Sequence, residues 1–323
     1  MSTNHTDEKN PLSAFAADTL RGLSAAPKRL FSKYFYDEKG DALFQQIMAM
    51  PEYYLTDCEF EIFKNQGTEI LDSVNEDAFD LLELGAGDGT KTKILLEKLL
   101  AARVDFRYLP IDISENALKG LQKNLTAALP ALDMETLQGD YFRILDDLKS
   151  IGSRRKLVLF LGSNIGNFSP PDAEKFLCKM NEVLASGDLL LIGADLKKDP
   201  AVIQAAYDDP TGVTAAFNLN LLTRMNRELE ANFNPDAWKH WETYNPVTGE
   251  AKSYLVSKKQ QTVNISALGC SFDFAAWEAV WVELSQKYSR EELELLAEKC
   301  GYSVVRHFTD ARGYYADSLW RKE

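Results

Sequence analysis

The segment Glu83-Leu84-Gly85-Ala86-Gly87-Asp88-Gly89-Thr90-Lys91 combines glycines and charged residues in a spacing suited to ligand chemistry. It follows a short apolar run, Phe79 to Leu84, and precedes Ile94, Leu95, Leu99 and Leu100 at helical spacing. Glycines in such a strand-to-helix turn let the backbone fold back tightly and let a ligand approach it closely. Asp112 closes the next strand pattern, where a carboxylate can accept from both hydroxyls of a ribose. Asp140, in Gly139-Asp140-Tyr141 after a third strand, can accept from an adenine amino group. Together these residues describe an adenosine site. A nicotinamide dinucleotide would want G-x-G-x-x-G with its pyrophosphate on the helix N-terminus. Here the sixth position is Thr90 and the spacing is G-x-G-x-G, which suits an adenosine cofactor without a pyrophosphate.

The elements that must hold these residues alternate strictly over about 120 residues. Strand patterns at Phe79–Leu84, Phe106–Asp112, near Glu135–Gly139, at Lys156–Leu161 and at Leu189–Ile192 are separated by helical ones. Such alternation predicts a parallel sheet covered on both faces. Ser169, Pro170 and Asp172 have the N-cap, first-turn proline and third-position acid of a helix start, and Gly187 suits its left-handed end. Ser289 and Glu292 form a second capping box. After it, Tyr302–Val305 and Tyr314–Leu319 read as a closing hairpin. The register breaks after Asp199-Pro200, where a helical stretch gives way to longer antiparallel strands. The predicted division is a tail over 1–14, a substrate-binding domain from 15–64 and 200–285, and a sheet domain from 65–199 and 286–323.

The E-x-G-x-G form of the loop and the antiparallel closing hairpin resemble class I methyltransferases, which implies S-adenosylmethionine as cofactor. The expected fold is α/β: a Rossmann-like sheet with a terminal antiparallel hairpin, plus a second, α+β substrate-binding domain. Four further motifs are more specific: Phe35-Tyr36-Asp37-Glu38-Lys39-Gly40, Pro51-Glu52-Tyr53-Tyr54, Phe160 through Asn167, and Tyr207 through Asn218. Their order and spacing resemble the histidine-specific Nα-methyltransferases of ergothioneine biosynthesis, over residues 15 to 320.

That resemblance implies three methyl transfers to the α-amine of histidine, giving histidine betaine (hercynine). It places Tyr53, Asn167 and Tyr207 at the substrate carboxylate and amine, with Tyr36 near the amine; Asn167 and Tyr36 are the candidate catalytic positions. Glu283 and Ser285 fall on the pair that reads the imidazole, and two-residue spacing in a strand turns both to one side. Gly85, Gly87, Lys91, Asp112, Asp140 and Tyr141 are the candidate cofactor-binding residues. The chain departs from the family pattern at Asp88-Gly89, at Asn164 where a threonine is usual, and at Ser253 where a methionine flanks the imidazole. The last change leaves room around the ring, so a modified histidine or another amino acid stays open as substrate. A cofactor-binding protein without turnover is the alternative of another class.

Composition narrows the remaining choices. The net charge of -13 lacks the basic footprint of a nucleic-acid binder or an anionic-membrane binder. No apolar run reaches the ~18 residues of a membrane span. The polar start lacks a signal-peptide pattern, which predicts a cytoplasmic enzyme. Cys58, Cys178, Cys270 and Cys300 have no zinc-site spacing and read as free thiols. His5, His240 and His307 offer no metal-ligand pair, so no metal is expected. The expected partner is a small amino acid, and oligomeric state is left open.

Overall fold

The computed structural model describes residues 11–74, 78–139, 145 and 154–323. The chain divides into two compact units. One takes the chain up to Tyr53 and Asp199–Ser285; the other takes Tyr54–Lys198 and Gln286–Glu323.

The first unit begins with helices α1 (Pro11–Leu23) and α2 (Glu38–Met48). Asp37 starts α2 by accepting from the Gly40 amide, as an N-cap carboxylate should. The second unit then runs through α3 (Tyr54–Asp72), β1 (Ala78–Leu84), α4 (Thr92–Ala102), β2 (Asp105–Asp112), α5 (Glu115–Ala128), β3 (Leu137–Gln138), β4 (Arg155–Phe160), α6 (Pro170–Val183) and β5 (Leu189–Asp195). The chain returns to the first unit with α7 (Pro200–Tyr207), α8 (Val213–Glu228), β6 (Trp238–Asn245), β7 (Glu250–Ser257), β8 (Gln261–Ile265), β9 (Cys270–Phe274) and β10 (Ala279–Gln286). It closes the second with α9 (Arg290–Lys299), β11 (Tyr302–Thr309) and β12 (Tyr315–Lys322).

The second unit holds a seven-stranded sheet in the order β11-β12-β5-β4-β1-β2-β3. Strands β1 to β5 are parallel, and β12 enters antiparallel between β5 and β11. The order reverses direction between β1 and β4, a switch point at whose carboxyl end α/β sheets open a crevice. Buried Leu82, Val158, Phe160, Leu190, Ile192 and Trp320 belong to its core. The first unit has its own core, in which Phe35, Phe217, Leu221, Trp238, Leu255 and Val282 join helices to a three-stranded sheet in the order β10-β7-β6. This is the expected α/β architecture with its antiparallel hairpin and a separate α+β unit.

Several local expectations need correction. The N-terminal boundary lies at Tyr53/Tyr54, not 64/65. Helix α3 buries Leu55, Cys58, Ile62, Phe63 and Ile70 along one face and packs on α4 and β12, so it belongs whole to the sheet unit. Gly187 is left-handed, but α6 ends at Val183 and the glycine serves the turn into β5. Ser169 caps α6 by accepting from the Asp172 amide, and the Asp172 carboxylate takes the Ser169 hydroxyl. Cys178 and Cys300 form a disulfide, so only Cys58 and Cys270 match the expectation of free thiols. Among the described residues no helix is long and apolar enough to cross a membrane.

The Ser289–Glu292 capping box is complete in both directions. Ser289→Ala should therefore lower unfolding free energy by about 1 kcal/mol, read as a shifted urea midpoint with unchanged slope. An unmoved midpoint would show that α9 is held by packing alone.

Candidate active site

In the sheet unit the loop after β1 is built around one carboxylate. The Gly85 and Ala86 amides both donate to the Ile111 carbonyl, at 2.8 and 3.2 Å, which seats the loop on the end of β2. Asp112 then accepts from the Gly87 amide at 3.0 Å and the Ser114 amide at 2.8 Å. Burial holds its carboxyl above the ordinary range, and these amides work against that shift. A carboxylate has about four lone-pair sites, so acceptor capacity is left over for a ribose hydroxyl. The glycines differ in purpose. A Cβ on Gly87 would meet nothing within 4 Å, so this left-handed residue faces open space that a ligand can fill. A Cβ on Gly89 would meet Leu121 at 3.1 Å, so that residue lets the loop close on α5. Gly85, Asp88, Thr90, Lys91, Leu161 and Gly162 are among the residues lining the resulting pocket.

Two acids beside this pocket are structural. Glu83 is buried, accepts from the Thr92 hydroxyl at 2.6 Å and also from the Tyr108 hydroxyl, and so ties α4 and β2 to β1. Burial pushes its pKa up to about 7. Glu59, fully buried on α3, accepts from the Gly162 amide at 2.8 Å, the Tyr315 hydroxyl at 2.9 Å and the Lys91 ammonium. Burial opposes the charge on Lys91, but Glu59 outweighs it and holds the ammonium firmly protonated. Asp317 lies in the same cluster; burial first, then the charge of Glu59, hold its carboxyl well above the usual range. The sequence signal for Glu59 was a carboxylate on the apolar face of a helix, flanked by Leu55 and Ile62.

The structure thus brings Gly85 and Lys91 to one pocket and joins Asp112 to the Gly87 amide of the same loop. Asp140 and Tyr141 lie outside the described residues. Asn167 is exposed at the end of the 3-10 turn Asn164–Asn167, in the sheet unit.

The other candidates belong to the first unit. Tyr207, at the end of α7, shares a 2.9 Å hydrogen bond between its hydroxyl and that of Ser285 on β10. Its ring meets the Tyr53 ring edge-on at 6.1 Å. Tyr53 leads to Phe44 at 6.3 Å, and Phe44 to Tyr36 at 5.6 Å. Four expected residues, Tyr36, Tyr53, Tyr207 and Ser285, therefore form one continuous array, with Phe44 as the link that the sequence did not suggest. His240 is buried and bonds the Tyr207 carbonyl through Nε2 at 2.9 Å. Since a carbonyl only accepts, that nitrogen carries the proton, and burial lowers the ring's pKa to keep it neutral. Glu283 stands two residues before Ser285, and the Ser253 hydroxyl lies 3.4 Å from its carboxylate. The same hydroxyl is 2.7 Å from Glu242, a buried carboxylate on β6. Glu242 alternates with buried Trp238 and His240 along β6, a pattern that could have marked it.

The parallel sheet with an inserted antiparallel strand, the open glycine loop and the Asp112 carboxylate define a class I, S-adenosylmethionine-dependent methyltransferase. A family described as histidine-specific, S-adenosylmethionine-dependent methyltransferase matches residues 15–322. The chain is 36% identical over 316 residues to a histidine N-alpha-methyltransferase of Mycolicibacterium smegmatis, covering 98% of this chain and 97% of that one. It is 30% identical to ergothioneine biosynthesis protein 1 of Schizosaccharomyces pombe, covering 91% of this chain and 39% of that longer one. A solved S-adenosylmethionine-dependent methyltransferase from Clostridium acetobutylicum is similar at 13% identity and a TM-score of 0.45, over 81% and 92% of the two chains. This chain belongs to the histidine-specific, S-adenosylmethionine-dependent methyltransferase family.

The raised pKa of Glu83 gives a stability signature. Its value moves from an ordinary 4.5 to about 7 on folding, so between those pH values the folded state binds more protons. The contribution is fully present below the lower value and is lost as pH rises through the upper one. Glu83→Gln removes this group. The stability of the native sequence relative to the variant should fall between pH 4.5 and 7 in urea titrations; a constant difference would refute the buried, protonated state.

Proposed function

We propose that this enzyme transfers methyl groups from S-adenosylmethionine to the α-amino group of L-histidine, three times in succession, yielding histidine betaine. The reading rests on family membership and on one structural observation above all: Tyr207, Ser285 and Glu283 present two hydroxyls and a carboxylate within three residues of one strand and its bonded neighbour. An imidazole offers one N–H donor and one lone pair, or two donors when protonated. Glu283 accepts from a ring N–H, and the Ser285 hydroxyl serves the other nitrogen. Analogues that leave these groups unpaired bind poorly.

S-adenosylmethionine supplies an electrophilic methyl group on a sulfonium. Asp112 would hold the ribose, the Gly87 backbone would border the ligand, and Lys91 would face the cofactor's amino-acid end. Asp140 and Tyr141 complete the proposed set at the adenine. The chain's part in the chemistry is positioning. Tyr53, Tyr207 and Asn167 hold the carboxylate and amine, and Tyr36 helps aim the nitrogen lone pair; restricting that geometry supplies much of the rate. Each transfer turns the nitrogen into a more substituted ammonium, whose surplus proton leaves to solvent between turnovers. The final quaternary ammonium has no N–H, and the tyrosine faces stabilise it through cation–π attraction.

Mass spectrometry of histidine incubated with enzyme and S-adenosylmethionine should show gains of one to three methyl groups, with the trimethylated product at completion. Glu283→Ala should lower kcat/KM for histidine by about 10² through the unpaired ring N–H, with the circular dichroism spectrum unchanged. Native histidine kinetics in that variant would remove the imidazole assignment.

A further inference from the structure

Tyr207 is the last residue of α7, and Asp208 leaves helical geometry. A carbonyl in the last turn of a helix has no partner within the helix. His240 on β6 supplies one: its Nε2–H donates to the Tyr207 carbonyl at 2.9 Å. Beyond this point Asp209 fixes the chain again, accepting from the Val213 and Thr214 amides at 3.0 and 2.7 Å where α8 begins. Tyr207 therefore stands at the near end of a short bridge between two helices, and the bridge is anchored on both sides.

The ring of His240 is buried, and its register partner on β7 is the fully buried Leu255. Among the described residues Nδ1 has no hydrogen-bond partner. Burial keeps the ring neutral against the Tyr207 carbonyl and the nearby Asp208 and Asp209. A buried ring nitrogen without a partner is a cost that an apolar side chain of this size would avoid. What histidine offers here, and leucine does not, is one N–H at the reach of Nε2. The other end of Tyr207 is its hydroxyl, 2.9 Å from that of Ser285. A substrate carboxylate or amine that takes this hydroxyl competes with Ser285. The bond at the carbonyl is then what keeps the residue in place.

Resting on the reading above, in which Tyr207 holds the α-carboxylate and amine of the substrate, we propose that His240 is a positioning residue for amino-acid binding. Its Nε2–H latches the end of α7 to β6 and so sets where the Tyr207 hydroxyl stands. His240 acts through Tyr207, by a bond to its main chain.

The test is steady-state kinetics with L-histidine and S-adenosylmethionine varied in turn. His240→Leu fills the space without a donor. His240→Gln carries an amide N–H at about the reach of Nε2. His240→Leu should raise KM for histidine about tenfold, the worth of one lost hydrogen bond, and leave KM for S-adenosylmethionine unchanged. His240→Gln should recover most of that loss. An unchanged histidine KM in folded His240→Leu overturns the proposal. So does a loss of kcat with both KM values unchanged, the mark of a merely structural residue, and so does a glutamine variant no better than leucine. Should His240→Leu fail to fold, His240→Asn replaces it, since its amide is one bond too short to reach the carbonyl. Should neither fold, nitrogen NMR of the imidazoles in the native protein decides. An Nε2–H signal of His240 that moves when histidine binds supports the latch; a proton on Nδ1, or a signal indifferent to histidine, overturns it. The function reading is judged first, on the native protein with a panel of amino acids. Transfer to another amino acid in place of histidine refutes that reading. The same KM comparison with that substrate then judges the latch, because the α-carboxylate and amine are common to both. Transfer to no amino acid refutes both.

Discussion

One buried carboxylate organises the sheet unit. Glu59 reaches from α3 to the Lys91 ammonium on the cofactor loop, the Gly162 amide beyond β4 and the Tyr315 hydroxyl on β12. These elements come from widely separated parts of the chain, and a single group joins them at the carboxyl end of the strands. A fully buried charge is tolerable only with such compensation. The packing leaves no slack: a Cβ on Gly193 of β5 would come within 2.5 Å of both Glu59 and the Tyr315 hydroxyl. The glycine is needed here for space, so the cluster can close against the sheet. The same bonds keep Lys91 charged and aimed at the pocket edge.

The parallel sheet was legible because its strands are buried on both faces and read as unbroken apolar runs. Leu157 to Phe160 and Leu189 to Ile192 need no context to be recognised. The cofactor loop was legible for a related reason: left-handed backbone and close ligand approach both call for glycine, and glycines stand out. The boundary at Tyr53/Tyr54 was not legible. Two adjacent tyrosines in helical sequence belong to different units, the Tyr53 ring set against Tyr207 and the Tyr54 hydroxyl bonded to Asp195. Nothing local distinguishes them, because their partners lie more than 140 residues downstream.

Candidate site residues divide along the same line. Glu283 and Ser285 were accessible through strand periodicity joined to a family resemblance. Glu59 and Glu242 were missed because an acid in an amphipathic segment is ordinarily solvated, and only tertiary structure shows that these two are buried. In both cases the sign was present as a carboxylate on the apolar side of the pattern. The disulfide between Cys178 and Cys300 was equally hidden, since a separation of 122 residues has no local signature.

The two units use buried acids in opposite ways. In the sheet unit Glu59 gathers donors of its own chain, so its charge is spent on architecture and on fixing Lys91. In the first unit Glu242 accepts from the hydroxyl of Ser253, its register partner on the neighbouring strand, so this acid ties adjacent strands and not distant elements. The same hydroxyl lies 3.4 Å from Glu283 on the third strand, so a row of polar side chains crosses this small sheet from β6 through β7 to β10.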